Sequence, residues 1–189
     1  MFAIKRALML VCLLMGVTAV TAPSMAINPQ YDLLKAVEED DINKATDLLS
    51  KGTSPDTRRR SDSIPAILIA AEKGNMAMMK LLLDYRANPD LADRNRGETA
   101  LMKRAVAGDT AMIQLLLSYK ADPNRADIAQ ETPLIKAVRS RKFKAVEVLL
   151  DAGADPNVQD LTGKTALEYA KLNRNRRMVR ALEDAGATY

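Results

Sequence analysis

Clustered arginine side chains are the feature of this sequence best suited to bind another molecule. Three of them stand together at Arg58, Arg59 and Arg60, and two more follow at Arg94 and Arg96. A guanidinium group can donate two parallel hydrogen bonds to a carboxylate or to a phosphate. These residues therefore predict a surface that recognises anionic groups.

Residues that perform nucleophilic, acid–base or metal chemistry are scarce. The chain of 189 residues has no histidine, and its one cysteine, Cys12, lies in an N-terminal apolar segment. A histidine-based triad, general base or metal site is therefore excluded. Acidic pairs occur at residues 38–39 and 40–41, where a solvated helix end is expected, and the sequence contains no glycine-rich phosphate loop. We expect no enzymatic activity, no metal and no cofactor.

The N-terminal segment has the pattern of a secretory signal peptide. Two basic residues precede an apolar run over residues 7–20, which is shorter than the ~20 residues needed to cross a bilayer. Ser24 and Ala26 are small residues at the positions required before a signal-peptidase cut. We expect residues 1–26 to be cleaved, with an uncleaved anchor as the alternative, which lowers the formal charge from +4 to +2.

Export sets the compartment in which the mature chain must be stable. The mature chain has no cysteine and therefore no disulfide, so its stability in an oxidising compartment must come from packing. None of its asparagines begins a glycosylation sequon. We predict a bacterial periplasmic protein, with secretion as the alternative.

A repeat of 33 to 34 residues organises the rest of the chain. The leucine pairs that mark it lie at Leu48-Leu49, Leu82-Leu83, Leu116-Leu117 and Leu149-Leu150. In the unit that contains Thr132-Pro133, the threonine is a good helix N-cap and proline is tolerated at the first helical position. The sequence pattern of each unit therefore predicts two short helices and a turn. One unit cannot bury the leucine face of its second helix, so the units must stack.

These units resemble the ankyrin repeat. The matching stretches are Gly97-Glu98-Thr99-Ala100-Leu101, Glu131-Thr132-Pro133-Leu134, Gly163-Lys164-Thr165-Ala166-Leu167 and Leu149-Leu150-Asp151-Ala152-Gly153-Ala154-Asp155. The resemblance implies an all-α fold, an ankyrin-repeat solenoid of stacked helix-turn-helix units with hairpin-like finger loops. We expect one domain over residues 27–189. Its predicted units are an N-terminal capping unit at 31–60, repeats at 61–93, 94–127 and 128–160, and a C-terminal capping repeat at 161–189.

Departures from the family pattern predict local features. Arg86 and Lys120 stand where the family has a glycine after the second helix. A residue with a Cβ atom in the left-handed conformation destabilises the folded state by about 1 kcal/mol relative to glycine. Arg104 replaces a small residue of a first helix, so its charged end must either extend outward or make a specific contact.

The resemblance also implies where binding occurs. In the family, the first helices and the finger loops line a concave face that usually binds the partner. The corresponding fingers of this chain are residues 56–64, 90–98, 124–131 and 157–164. First-helix positions predicted to be exposed are Lys35, Ile69, Lys103, Lys136 and Tyr169. A basic stripe is therefore predicted, and its candidate partner-binding residues are Arg58, Arg59, Arg60, Arg94, Arg96, Lys103, Lys136, Arg139 and Tyr169.

The function implied by the resemblance is a non-enzymatic protein–protein interaction module. It would be a periplasmic monomer that inhibits, protects or assembles an exported partner protein with an acidic surface. One alternative is a binder of an anionic envelope polymer, and another is that the basic residues are only a solvated surface. Nucleic acid is disfavoured because the chain is exported and only Tyr169 offers aromatic stacking near the stripe. No stable membrane insertion is expected after cleavage.

Overall fold

The computed structural model describes residues 28–188, so the predicted signal peptide and its cleavage site lie outside the described residues. Within that part of the chain, ten α-helices follow one another in five pairs, and the one β-type pairing is an isolated bridge between Arg58 and Pro65. The predicted all-α repeat solenoid is confirmed. The helices are α1 (Pro29–Glu38), α2 (Ile42–Ser50), α3 (Ala66–Lys73), α4 (Met76–Asp84), α5 (Ala100–Ala107), α6 (Thr110–Ser118), α7 (Pro133–Arg139), α8 (Phe143–Asp151), α9 (Ala166–Leu172) and α10 (Arg176–Asp184).

Threonine side chains start the first helices of the last three units. The hydroxyls of Thr99, Thr132 and Thr165 each accept a hydrogen bond from a backbone N–H in the first turn, at 3.3 to 3.4 Å. At Thr165 the Glu168 carboxylate also accepts the backbone N–H of Thr165 at 2.8 Å, which completes a capping box. These caps satisfy donors that a helix N-terminus leaves without partners.

The helices form two layers, since α1, α3, α5, α7 and α9 pack side by side and the second helices pack behind them. Small side chains allow the first helices to approach closely. In four of the five first helices the same repeat position holds a fully buried alanine, namely Ala36, Ala70, Ala137 and Ala170. The fifth helix, α5, has Arg104 there.

Backbone hydrogen bonds join the three later finger loops into a row. Each of the three later fingers closes on itself as a hairpin, for example through Asp127 N donating to Glu131 O at 3.1 Å. Neighbouring fingers are also bonded, since Ile128 N donates to Arg96 O at 3.1 Å and Leu161 N donates to Ala129 O at 3.0 Å. The fingers therefore extend the layer of first helices as an ordered edge.

The proline-containing turns at the unit boundaries connect each unit to the next. The side chain after the proline accepts a hydrogen bond from the backbone of the following turn, so the repeat spacing seen in sequence is also a spacing of hydrogen bonds. These contacts are Asp56 with Asn88 N at 2.8 Å, Asp90 with Asp122 N at 2.9 Å, Asn124 with Asp155 N at 2.6 Å and Asn157 with Thr188 N at 2.7 Å.

Two positions after second helices carry the predicted left-handed conformation without glycine. Arg86 has φ 66° and Lys120 has φ 68°, whereas the same position in other units holds Gly52 and Gly153, both also left-handed. The expectation from the family pattern is confirmed. Among the described helices, none combines the length and the apolar character needed to span a membrane.

Candidate interaction surface

The surface formed by the finger loops and the first helices, here called the finger face, carries a groove at its centre. The groove has a volume of about 670 Å³ and lies where α3, α5 and α7 meet the second and third fingers. It is lined by Glu72, Arg96, Glu98, Lys103, Arg104, Val106, Ala107, Glu131, Lys136, Arg139 and Ser140. Charged side chains of both signs therefore dominate its walls.

Lys136 on α7 is the centre of a buried charge cluster beside the groove. Its Nζ lies 2.8 Å from Asp127 Oδ2, 3.1 Å from Glu98 Oε1 and 3.1 Å from Glu131 Oε2. Its side chain keeps only 8% of its surface exposed. A buried ammonium is stable only when carboxylates pair with it, and three carboxylates need a cation for the same reason. The cluster therefore joins two neighbouring fingers to α7.

Lys103 on α5 extends this cluster toward α3. Its Nζ lies 3.0 Å from Glu72 Oε1 and 3.3 Å from Glu98 Oε2, so Glu98 bridges the two lysines. Burial alone raises the pKa of Glu98, but Lys136 and Lys103 hold that pKa below its usual value. Burial alone lowers the pKa of Lys103, but Glu72 and Glu98 raise it. Both side chains are therefore charged at neutral pH.

Arg139 and Tyr169 continue the finger face toward the C-terminal unit. The Arg139 guanidinium pairs with Glu131 and lies 5.2 Å from the centroid of the Tyr169 ring. The Tyr169 hydroxyl donates to Asp160, and this bond together with those from Thr162 and Lys164 outweighs the effect of burial and lowers the pKa of Asp160 to about 2. Arg139 is half exposed, so it remains available to a partner.

Arg96 and Arg94 lie at the tip of the second finger. Arg96 is 72% exposed and its guanidinium is 3.7 Å from Glu98 Oε1. Arg94 is exposed beside it but lies outside the groove lining. Such exposed pairs contribute little to stability, so both side chains are free to reorient toward a partner.

The three consecutive arginines of the first finger differ from one another. Arg58 donates to the carbonyl oxygens of Ser63 at 2.8 Å and Ala92 at 2.9 Å, and so ties the first finger to the second. Arg59 pairs with Asp62 and, at 2.8 Å, with Glu38. Arg60 is exposed. Two of these three candidate residues therefore have structural partners within the described chain.

The prediction of exposed first-helix positions is wrong for Lys136 and Ile69, and Lys103 and Tyr169 are only partly exposed. Lys136 is buried because the carboxylates of two fingers surround it, and Ile69 is 4% exposed because it packs in the hydrophobic core between neighbouring helices. The predicted basic stripe is likewise corrected, since carboxylates of Glu72, Glu98 and Glu131 alternate with its cations.

The structure brings four of the predicted site residues together at the groove, namely Arg96, Lys103, Lys136 and Arg139, with Tyr169 beside them. Sequence reasoning missed the acidic residues that pair with them. The signal for these was present, because Glu98 and Lys103 in one repeat recur as Glu131 and Lys136 in the next, with the same spacing.

Comparisons with known proteins agree with the repeat architecture. A family model described as ankyrin repeats in three copies matches residues 33–127, and a second, described as ankyrin repeats in many copies, matches residues 116–170. A search of curated proteins found no match.

Proposed function

Because the chain belongs to the ankyrin-repeat family, whose members are generally non-enzymatic protein–protein interaction modules, we propose that it is an exported protein that binds an exported partner protein through its finger face. Binding inhibits, protects or assembles that partner. The family matches indicate no catalytic family.

The observation that carries this proposal is the groove at the centre of the finger face. Its charged side chains are held in place by each other, as the contacts of Lys136 and Lys103 show, so a partner meets a preorganised surface. Preorganisation reduces the conformational entropy lost on binding. Arg96 and Arg139 remain exposed at its edges and can pair with acidic side chains of the partner.

The mixture of charges favours a protein partner over an anionic envelope polymer. Glu72, Glu98 and Glu131 pair with the cations Lys103, Lys136 and Arg139 of the groove, so these cations are largely neutralised toward a polymer of uniform negative charge. A protein surface can place acidic and basic groups where each is complementary. Binding to a polyanion also collapses at moderate ionic strength, whereas a packed protein interface is much less sensitive to salt.

Export is supported by the sequence of the N-terminal segment, with its basic start, apolar run and small residues before position 27. Mass spectrometry of the protein recovered from the periplasm tests this step. A mature N-terminus near Ile27 is expected, and a cytoplasmic protein that retains residues 1–26 contradicts it.

Site-specific photo-crosslinking in intact cells tests the binding surface. A photoreactive amino acid replaces exposed Ala107 in the groove or, as the matched control, exposed Gln114 on the second-helix side. We expect a defined crosslinked protein from position 107 and none from position 114. Absence of a product at position 107, or equal products at both positions, contradicts the proposed function.

A further inference from the structure

Arg104 interrupts the alanine pattern of the first helices. The corresponding residue in α1, α3, α7 and α9 is an alanine with no exposed surface, and this position faces the neighbouring helices. At Arg104 a long cationic side chain starts from the same packed position and runs to the groove, where it forms part of the lining. Alanine is sufficient for helix packing at this position in the other four units, so packing does not explain the arginine in α5.

The Arg104 side chain contacts the preceding unit. Gly74 ends α3 in the left-handed conformation, with φ 69°, and a Cβ atom placed there lies 3.4 Å from Arg104 Nη1. That distance is an ordinary van der Waals contact, so the guanidinium lies against the end of α3. The Arg104 side chain therefore reaches across the boundary between two units.

The guanidinium of Arg104 is poorly paired for a cation of its burial. Its side chain is 13% exposed, and its ion pair, with Asp109 Oδ2, spans 3.9 Å. The other oxygen of Asp109 caps α6 by accepting Met112 N at 3.1 Å, which fixes the carboxylate at the helix end. Among the described residues, Arg104 Nε is the buried side-chain nitrogen that has no hydrogen-bond partner.

The neighbouring lysines show how unusual this is. Lys136 has three carboxylates within 3.1 Å, and Lys103 has two within 3.3 Å. Arginine carries five N–H donors in a planar fork, and leaving such donors unpaired in a buried position is costly. Among the buried cations of the groove, Arg104 is thus the one whose capacity to bind an anion is largely unused.

We propose that Arg104 anchors an acidic side chain of the partner protein in the groove. The proposal rests on the proposed function and names the chemistry by which the same surface recognises its partner. A carboxylate fits the guanidinium fork with two hydrogen bonds, and half-exposed Val106 offers an apolar contact beside it. Arg139, which is also half exposed, adds positive charge at the edge of the groove.

Arg104→Ala is the matched variant, because it restores the residue found at this position in the other units. We expect it to raise the midpoint of urea unfolding, since it removes a poorly paired buried cation. In the same variant, crosslinking from Ala107 is expected to fall at least about tenfold. A merely structural role predicts the opposite combination, in which stability falls and crosslinking follows it.

A second measurement uses the purified exported protein and a simple carboxylate. The Nε–Hε NMR resonance of Arg104 is identified by its loss in Arg104→Ala, and acetate is then added at constant ionic strength with chloride as the comparison. We expect acetate to shift this resonance and chloride to leave it in place. Equal shifts with both salts, or a larger shift with phosphate than with acetate, overturn the assignment to a carboxylate.

The two failures are distinguishable. If position 107 crosslinks equally well in the wild-type protein and in the variant Arg104→Ala, the anchor is wrong while the proposed function stands. If position 107 crosslinks in neither protein, the proposed function fails, and the acetate titration alone decides whether Arg104 binds a carboxylate.

Discussion

The central groove and the first finger both carry clustered basic residues, but the two regions use them differently. In the groove, Lys136 and Lys103 are paired with carboxylates from two fingers and from α3. In the first finger, Arg58 bonds backbone oxygens and Arg60 extends into solvent. A run of like charges in sequence therefore says little about charge in space, because the repeat spacing decides which acidic residues lie opposite.

The largest effect is expected from Lys136→Met. The substitution leaves the buried carboxylate of Asp127 without a cation and removes one of the cations that pair with Glu98 and with Glu131. Removing one partner of a buried ion pair costs about 3–5 kcal/mol, and we expect a loss of that size in the free energy of unfolding by urea. Lys35→Met, at an exposed pair in α1, is the control with almost no loss. A loss of unfolding free energy below about 1 kcal/mol in Lys136→Met would contradict the contrast between the central groove and the first finger.

A smaller effect is expected from Asp160→Asn in the last finger. Its pKa of about 2 lies below that of an unfolded aspartate, about 3.9. The charged form therefore stabilises the fold above about pH 4, and this contribution is lost as the pH falls through about 2. We expect the variant to lose about 2 kcal/mol at pH 7, and the difference from wild type to vanish below about pH 2. A difference independent of pH contradicts this origin.

Arg58→Ala and Arg60→Ala separate the roles within the first finger. Arg58→Ala removes two hydrogen bonds to carbonyl oxygens, so we expect a loss of about 1.5 kcal/mol in unfolding free energy. Arg60→Ala is the matched control, because its side chain is exposed, and is expected to stay within about 0.5 kcal/mol of wild type. Equal losses of unfolding free energy for the two variants would contradict this separation, because Arg60 would then stabilise the finger as much as Arg58 does.

The smallest effect is a gain in stability from Arg86→Gly. This residue has φ 66°, a conformation that glycine adopts in the corresponding Gly52. Glycine is expected to add about 1 kcal/mol to the free energy of unfolding, measured by the urea midpoint. Lys35→Gly, within helix α1, is the opposite control and is expected to destabilise. An unchanged or lower midpoint for Arg86→Gly contradicts the left-handed geometry.

The repeat spacing predicted most of the fold because each unit follows the same local rules. The helix start at Thr132 follows from residue type and position, and the left-handed residues Arg86 and Lys120 follow from the family pattern, which has a glycine there. These features depend on contacts between residues close in the chain, or one repeat apart. Because the sequence is periodic, contacts between residues close in the chain and contacts one repeat apart can both be predicted from it.

The site was predicted less well because its geometry depends on several units together. Lys136 was predicted to be exposed, and it is buried because carboxylates from two separate fingers converge on it. The choice between an outward and a specific contact for Arg104 also stayed open, since it depends on the groove that residues of three first helices form together. Neither follows from the pattern within a single repeat.

The most direct test of this account is the reactivity of lysine side chains toward acetylation, followed residue by residue by mass spectrometry. Lys136 is 8% exposed and held by three carboxylates, whereas Lys51 is 68% exposed. We predict that Lys136 in the folded protein reacts at least about tenfold more slowly than Lys51, because acetylation requires an accessible, unprotonated amine. The difference in rate is expected to disappear in urea. Equal rates in the folded protein contradict the buried charge cluster on which the groove depends.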